Sequence, residues 1–309
     1  MWLRWLVSSW VRQQGQQTLR NLFTEAIRGE SPPRGGRGPA RRPSEGLISG
    51  EREGVSPSTE TPPRPPCSIA FLFALDLEAA GLVERLTRTI RTRCAAFVEH
   101  DGFLGEERVI VAETGVGMEA ARRAAADVIA MHQPAWIVSA GYAGGLADDV
   151  RRGHFIMAET VVDERGRELS VGLKVPPEVL SAQKSLHAGR LVTVDRLIRD
   201  EADKRELGRR FDAVACDMET WAVAETCAQL KTRFLSVRII TDAVDDKLPI
   251  EIENLLDQKS IAGKLGAVAG ALLNRPSSVK DMWKLHEEAQ RGSTRLGKFL
   301  ESAAAQLRP

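Results

Sequence analysis

The sequence predicts an α/β fold, a three-layer α/β/α sandwich around a mixed, largely parallel sheet. From Cys67 onward, short apolar runs alternate with segments of helical periodicity, as expected where helices cover both faces of a sheet. Glycine clusters follow two apolar runs, at 114–117 and 141–145, and acidic residues follow two others, within 216–225 and at 241–242. Because such sheets bind ligands at the carboxyl ends of their strands, these four segments predict one site on one rim.

The first elements are the most strongly patterned. The continuous apolar run at 68–75 indicates a buried strand, and the spacing of Leu82, Val83 and Leu86 predicts a helix over 77–89. The segments 94–99 and 107–113 are predicted as a strand pair around a turn at Asp101–Gly102.

The remaining elements continue the alternation of strand and helix. The glycine turn at 114–117 opens an alanine-rich helix at 118–132. Further strands are predicted at 135–141, 154–162, 189–195, 213–216 and 234–240. Further helices are predicted at 222–230 and 261–273, with helical patches at 282–289 and 296–300 of the polar tail. The pattern contains no internal repeat.

The composition divides the chain into four segments. Residues 1–30 predict an amphipathic helix rich in Trp and Arg, and residues 31–66 hold little besides Pro, Gly, Arg, Ser, Thr and Glu. The second segment cannot bury enough apolar surface to offset its ordering entropy and is predicted to be a disordered linker. Residues 67–275 then form the α/β domain and residues 276–309 a helical tail.

Charge and cysteine usage exclude several classes of function. Residues 1–66 carry ten Arg against six Glu in a chain of net charge +1, so the remainder is mildly acidic and offers no field for nucleic acid. The four cysteines show no CxxC spacing and the five histidines are scattered, so we expect reduced thiols, a cytoplasmic protein and no metal site. No cofactor is expected either.

The first thirty residues predict contact with a membrane surface rather than a membrane span. Trp2, Trp5 and Trp10 crowd the start of the chain, and the apolar run there is short and interrupted by Arg4. A Trp-rich, Arg-bearing amphipathic helix can lie in a membrane interface. The alternatives are a docking helix, a transit-like segment or an overextended start of translation.

Three motifs in order resemble the nucleoside phosphorylase superfamily. They are the segment from TGVG (114–117) through GYAGGL (141–146), the motif CDMETWAVAE (216–225) and the signature SVRIITDAVDD (236–246). The resemblance covers Ile69 to about Leu248 and is greatest to the methylthioadenosine/S-adenosylhomocysteine nucleosidase branch. It implies a phosphorylase-like catalytic domain, a small-molecule nucleoside as partner, and a homo-oligomer.

The resemblance assigns a role to each strand-end acid. Glu219 would accept hydrogen bonds from the ribose hydroxyls, with Met218 packed under the sugar, since a carboxylate is an acceptor for both O–H donors. Asp242 would protonate the five-membered ring of a purine and so improve the leaving group. Gly117 and Gly144 would let the backbone approach the ligand closely.

The nucleophile decides between two reactions. The nucleosidase pattern places a glutamate just after the first strand to activate water, and Glu78 stands there with Asp76 as a fallback. Phosphorylases carry Arg in that stretch, and none lies within 69–84. We therefore expect an N-ribosyl hydrolase acting on a purine nucleoside, with adenine as the first candidate base. The alternatives are a phosphorylase that uses phosphate as co-substrate, and a non-catalytic nucleoside-binding protein.

Several positions depart from the family pattern. The base-stacking aromatic residue is replaced by Leu197, beside Ile198, and Tyr142 stands where smaller residues are common. Trp221 follows the motif glutamate and would narrow the pocket or pack on the sheet. The segment NRPSSVKDMWKL (274–285) and the ending TDAVDDKLP are similar to phosphorylase-like proteins of hopanoid lipid synthesis, which implies an adenosyl lipid as another candidate substrate.

Overall fold

The computed structural model describes residues 65–172, 174–248 and 276–307, with side chains of the third segment described from residue 287. The predicted N-terminal helix at 1–30, nearly all of the linker at 31–66 and the closing helix at 261–273 lie outside the described residues. Within the described ranges, no helix combines the length and apolar character needed to cross a bilayer.

Ten strands and six helices make up the described part of the chain. The strands are β1 (Ile69–Phe73), β2 (Thr87–Arg93), β3 (Val98–Leu104), β4 (Glu107–Glu113), β5 (Trp136–Gly145), β6 (Phe155–Asp163), β7 (Glu168–Ser170), β8 (Leu186–Thr193), β9 (Ala215–Asp217) and β10 (Arg233–Asp242). The helices are α1 (Asp76–Val83), α2 (Met118–His132), α3 (Pro177–Ala182), α4 (Glu201–Phe211), α5 (Thr220–Leu230) and α6 (Pro276–Ala304).

Strand β1 shows why the fold has three layers. Its side chains alternate between two faces, as the pleat of a strand requires. Ile69 and Phe71 enter one hydrophobic cluster with α1 and the end of α6, and Ala70 and Leu72 enter another with α2 and α5. Helices therefore cover both faces of the sheet, and the predicted sandwich is confirmed.

The sheet is mixed, but less parallel than predicted. All ten strands belong to one sheet, in which β1 pairs in parallel with β4 and β5, and β10 pairs in parallel with β5. Antiparallel partners are as frequent, because β2, β3 and β4 form a meander and β6 runs opposite to β10. Half of the sheet closes into a ring of five strands. In this ring β5 pairs with β10, β10 with β6, β6 with β8, β8 with β9, and β9 with β5.

Several predicted boundaries were wrong. Asp101 and Gly102 lie inside β3, and the hairpin turns at 105–106 instead. The predicted helix at 77–89 ends at Val83, after which the exposed edge strand β2 begins. The helices α3 and α4 and the short strand β7 were missed.

The C-terminal tail forms one helix rather than two helical patches. Its side chains Leu296, Phe299, Leu300 and Ala303 are buried in the same cluster as β1. Burial of each of the Leu and Phe side chains contributes roughly 1.5–3 kcal/mol, so this helix is anchored to the sheet.

The carboxyl ends of three strands converge around β5. The predicted glycine cluster after that strand is part of it, since β5 continues to Gly145. Gly144 pairs with Asp242 on one side and with Cys216 on the other. The acidic segments after β9 and in β10 are thereby brought to the glycines of β5, as the sequence predicted.

Candidate active site

Glu78 is a buried carboxylate fixed by backbone donors. It lies in the first turn of α1, where its Oε2 accepts hydrogen bonds from the backbone N–H groups of Ala74 and Leu75, both at 2.9 Å. Its Oε1 accepts the backbone N–H of Tyr142 at 2.8 Å. Burial raises the pKa of Glu78, whereas these hydrogen bonds and the charge of Arg238 lower it in part. The side chain is thus held in one orientation and is ready to accept a proton.

The glycine at 141 makes room for this carboxylate. A Cβ built on Gly141 would lie 2.8 Å from Glu78 Oε1 and 3.1 Å from Arg238 Nη1. Neither atom belongs to a side chain free to move away, because both side chains are tied by hydrogen bonds. Glycine is required here for space. A Cβ on Gly144, farther along the same strand, would lie 3.2 Å from Asp242 Oδ2.

Glu219 faces the glycine turn. Its Oε1 accepts the backbone N–H of Gly117 at 2.8 Å, and Gly117 has a φ of 95°, a conformation that glycine adopts without strain. Burial, together with the neighbouring charges of Asp217 and Glu78, raises the pKa of Glu219 to about 8. Glu219 is therefore largely protonated at neutral pH.

A buried ion pair between Arg238 and Asp217 interacts with both glutamates. Arg238 donates from Nε and Nη2 to Asp217 Oδ2, at 2.9 and 2.6 Å, and both side chains are almost completely buried. Thr193 Oγ1 donates to Asp217 Oδ1 at 2.8 Å, and Arg238 Nη2 also reaches Ser139 Oγ at 2.9 Å. Asp217 further accepts the backbone N–H of Thr220 at 3.1 Å, which satisfies one free donor at the start of α5.

Burial is the main cause of the raised pKa values of Glu78 and Glu219, and the charge of Arg238 offsets it only in part. Three carboxylates, those of Asp217, Glu78 and Glu219, surround one guanidinium, and Asp217 holds it by direct contact. Burial alone would lower the pKa of Arg238, but the three acids raise it, so the cation persists. One positive charge cannot neutralise three negative ones, and the two glutamates retain affinity for protons.

Asp242 forms a second buried ion pair, which the sequence did not reveal. Lys204 Nζ lies 2.6 Å from Asp242 Oδ2 and also donates to the carbonyl oxygens of Ala243 and Asp246, both at 2.8 Å. Thr241 Oγ1 donates to Asp242 Oδ1 at 2.9 Å. Burial raises the pKa of Asp242, and the ammonium of Lys204 restrains that rise. Asp242 is consequently oriented while its carboxyl remains easier to protonate than an exposed one.

Tyr142 contributes to the site through its backbone. Its N–H binds Glu78, whereas its hydroxyl donates to the carbonyl of Ala289 in α6 at 2.8 Å. The hydroxyl of Tyr142 thus contacts the C-terminal helix, and the predicted role of Tyr142 in substrate binding stays a prediction. Trp221 is buried in the cluster beneath α5, with Arg167 over its ring, so it packs on the sheet.

The other predicted residues differ in burial. Met218 is half-buried beside Glu219, and Leu197 is half-buried at the end of β8. Ile198 is buried in a hydrophobic cluster with Leu146 and Val192. The roles of Met218, Leu197 and Ile198 toward a ligand stay predictions.

The fallback acid Asp76 and the two arginines of α2 make other contacts. Asp76 is exposed and accepts the N–H of Leu77 at 2.8 Å, so Glu78 is the buried acid of this helix. Arg122 pairs with Glu225 at 2.5 Å, and Arg123 is exposed. In the described ranges, no group of three or more His, Cys, Asp or Glu side chains is arranged to hold a metal ion.

The chain belongs to the phosphorylase superfamily, whose sequence profile matches residues 68–274. A 5′-methylthioadenosine/S-adenosylhomocysteine nucleosidase of Shewanella piezotolerans is 26% identical over 223 residues, 65% of this chain and 97% of that protein. The corresponding nucleosidase of Colwellia psychrerythraea is 26% identical over 237 residues, 66% of this chain and 98% of that protein.

Solved structures with similar folds include a nucleosidase and a futalosine hydrolase. The Colwellia psychrerythraea nucleosidase in complex with adenine has a TM-score of 0.55 and 23% identity, over 79% of this chain and 97% of that one. The futalosine hydrolase of Helicobacter pylori has a TM-score of 0.58 and 17% identity, over 77% of this chain and 97% of that one. These likenesses establish the phosphorylase-like fold.

Proposed function

We propose that the chain is an N-ribosyl hydrolase that cleaves the glycosidic bond of an adenine-bearing nucleoside with water. The observation that carries the proposal is Glu78, a buried carboxylate with fixed orientation and a raised pKa at the centre of the site. The names of the relatives support the same class of reaction. The reaction as proposed needs no cofactor.

The proposed chemistry uses each carboxyl once. Asp242 gives its proton to the imidazole ring of the purine, and the bond between C1′ and the ring nitrogen breaks with its electron pair going to the base. Positive charge develops on the ribose, as in glycoside hydrolysis, and nearby carboxylates stabilise it. Water then bonds to C1′ and loses a proton to Glu78, while Glu219 accepts hydrogen bonds from the ribose hydroxyls.

Water is favoured over phosphate because of the charge at the nucleophile side. A phosphate dianion beside Glu78 would need an unengaged cation. Arg238, the nearest guanidinium, is tied to Asp217 and shared among three acids. A neutral water molecule does not meet that repulsion.

The decisive experiment separates hydrolysis from phosphorolysis. Adenosine and 5′-methylthioadenosine are incubated with the full-length protein in phosphate-free buffer made with ¹⁸O-labelled water, and adenine and sugar are quantified by mass spectrometry. We expect free adenine and a labelled sugar, unchanged by added phosphate. Strict dependence on phosphate, with a sugar 1-phosphate product, would make the enzyme a phosphorylase. Failure to release base in either buffer would favour a binding protein.

Nucleoside binding is expected to release a proton from Glu219. Its pKa is about 8, and ribose hydroxyls that donate to the carboxylate favour its ionised form and lower that pKa. Affinity should therefore increase by up to about tenfold per pH unit as pH rises toward 8, then level off. Calorimetry with a non-hydrolysable adenosine analogue, in two buffers of different ionisation enthalpy, measures the proton directly.

The control for this prediction is Glu219→Gln, which cannot ionise. This variant should bind the nucleoside more weakly and lose the part of the pH dependence of affinity that Glu219 contributes below pH 8. Proton uptake, or an equal slope in the variant and the wild type, would refute the assignment to Glu219.

A further inference from the structure

The C-terminal helix α6 lies beyond the residues that the family profile matches, since the match ends at 274 and the helix spans Pro276–Ala304. It nevertheless packs directly on α1, the helix that carries Glu78. Glycines lie at the contact: a Cβ on Gly81 would fall 2.1 Å from the carbonyl oxygen of Ser293, and one on Gly297 would fall 2.2 Å from that of Gly81. The two backbones touch, so a shift of α6 is transmitted to α1.

Ser293 joins the two helices by hydrogen bonds. Its Oγ accepts the backbone N–H of Gly81 at 2.8 Å and donates to the backbone carbonyl of Glu78 at 3.2 Å. These bonds are buried, and the serine is almost completely buried. The hydroxyl therefore fixes the main chain of Glu78 itself.

Tyr142 fixes the other end of the same residue. Its hydroxyl is anchored to the carbonyl of Ala289 in α6, and its backbone N–H holds Glu78 Oε1. Both the main chain and the carboxylate of Glu78 are thus held by groups that rest on one helix.

The same helix also reaches the loop after Asp242. Arg152 bridges Glu288 of α6, at 2.7 Å, to Asp246, at 2.6 Å. Asp246 in turn accepts the backbone N–H of Ala243 at 2.7 Å. This bridge is partly exposed and consequently weaker than the buried contacts at Ser293.

We propose that α6 is a positioning element of the active site, in which Ser293 and Tyr142 hold Glu78 in the orientation that its reaction requires. The proposal rests on the proposed function for its kinetic consequence. Ser293 and Tyr142 are positioning residues, because their side chains act through Glu78. A misplacement of about 1 Å in a reacting group can cost on the order of 10²-fold in rate.

The test compares Ser293→Ala and Tyr142→Phe with Ser302→Ala in the full-length protein. Ser302 is a half-buried serine of the same helix, and its hydroxyl donates within the helix, to the carbonyl of Lys298. We expect kcat to fall by about 10- to 100-fold in the first two variants, with KM nearly unchanged, and to remain at the wild-type value in Ser302→Ala.

A pH profile distinguishes positioning from general loss of stability. The backbone hydrogen bonds to Glu78 lower its pKa, so weakening them should move the acidic limb of kcat to higher pH. Equal kcat and equal limbs in all three variants would overturn the proposal. Should Ser293→Ala fail to fold, Tyr142→Phe still tests it, since that change removes one hydroxyl and keeps the ring.

A second readout separates this proposal from the proposed function. Amide hydrogen exchange over residues 74–82 should be faster in Ser293→Ala and Tyr142→Phe than in Ser302→Ala, whatever the reaction. A wild type that releases no base would refute the hydrolase while leaving this measurement valid. Unchanged exchange in an active enzyme with unchanged kcat would refute only the role of α6.

Discussion

Replacing Glu78 by Gln is expected to lower kcat by about 10²- to 10⁴-fold, the range that general-base catalysis supplies. The amide removes the proton acceptor and also mismatches the donors around it. Glu78 accepts N–H groups with both of its oxygens, and a Gln NH₂ would face a donor in either orientation. Steady-state release of adenine, measured at saturating nucleoside, gives kcat.

The matched control is Asp76→Asn. Asp76 lies in the same turn of α1, is exposed and bonds to the N–H of Leu77. Its replacement is expected to leave kcat within about twofold, because the side chain is exposed. Substitutions at such surface positions usually change the free energy of unfolding by less than about 0.5 kcal/mol, so the fold is retained. A large loss in Asp76→Asn with an active Glu78→Gln would reverse the two assignments and make the exposed acid the base.

The sequence predicted the site best where the information is local. Glu78 was predicted from the resemblance, whose nucleosidase pattern places a glutamate just after the first strand, and Glu219 and Asp242 were predicted because they stand at strand ends in recognisable motifs. Parallel strands bring such positions to one rim regardless of distant packing. The glycine at 141 was also visible in the sequence, although its purpose, space for Glu78 Oε1, is evident only in the folded protein.

Residues whose burial depends on distant segments were missed. Lys204 lies among charged neighbours in DEADKRELGRR, which favours an exposed helix face, and its burial arises only when the loop at 243–246 closes over it. Arg238 pairs with Asp217, and its influence on both glutamates depends on three separate strands and helices. A charged residue inside an apolar strand such as FLSVRII was the available signal.

The C-terminal helix shows the same limit. Its apolar positions indicated helix in two patches, but nothing in the spacing specified the partner. The match between Gly81 and Gly297 joins positions that are far apart in the chain, and single glycines in helices carry no partner information by themselves. Only the packed structure relates this tail to Glu78.

Replacing Arg238 by Met is expected to destabilise the fold by about 3–5 kcal/mol, because it leaves the buried carboxylate of Asp217 without its cation. The pair is sequestered from solvent on both sides, so water cannot compensate. The loss should grow further above about pH 8: Arg238 lowers the pKa of Glu219, and without it the folded protein must ionise that group at a higher pH than the wild type does. Urea unfolding monitored by circular dichroism, at neutral pH and above 8, measures both effects.

The double variant Asp217→Asn/Arg238→Met decides whether charge is the cause. A buried ion pair replaced as a unit often costs little, whereas breaking it strands a charge. Much of the loss should therefore be recovered in the double variant, with a coupling free energy between the two sites of up to about 3 kcal/mol. Catalysis should not recover, because Glu78 and Glu219 still lack the guanidinium. If the double variant were as unstable as Arg238→Met, the loss would arise from packing of the long side chain in the sheet, and the electrostatic account of the Arg238–Asp217 pair would be refuted.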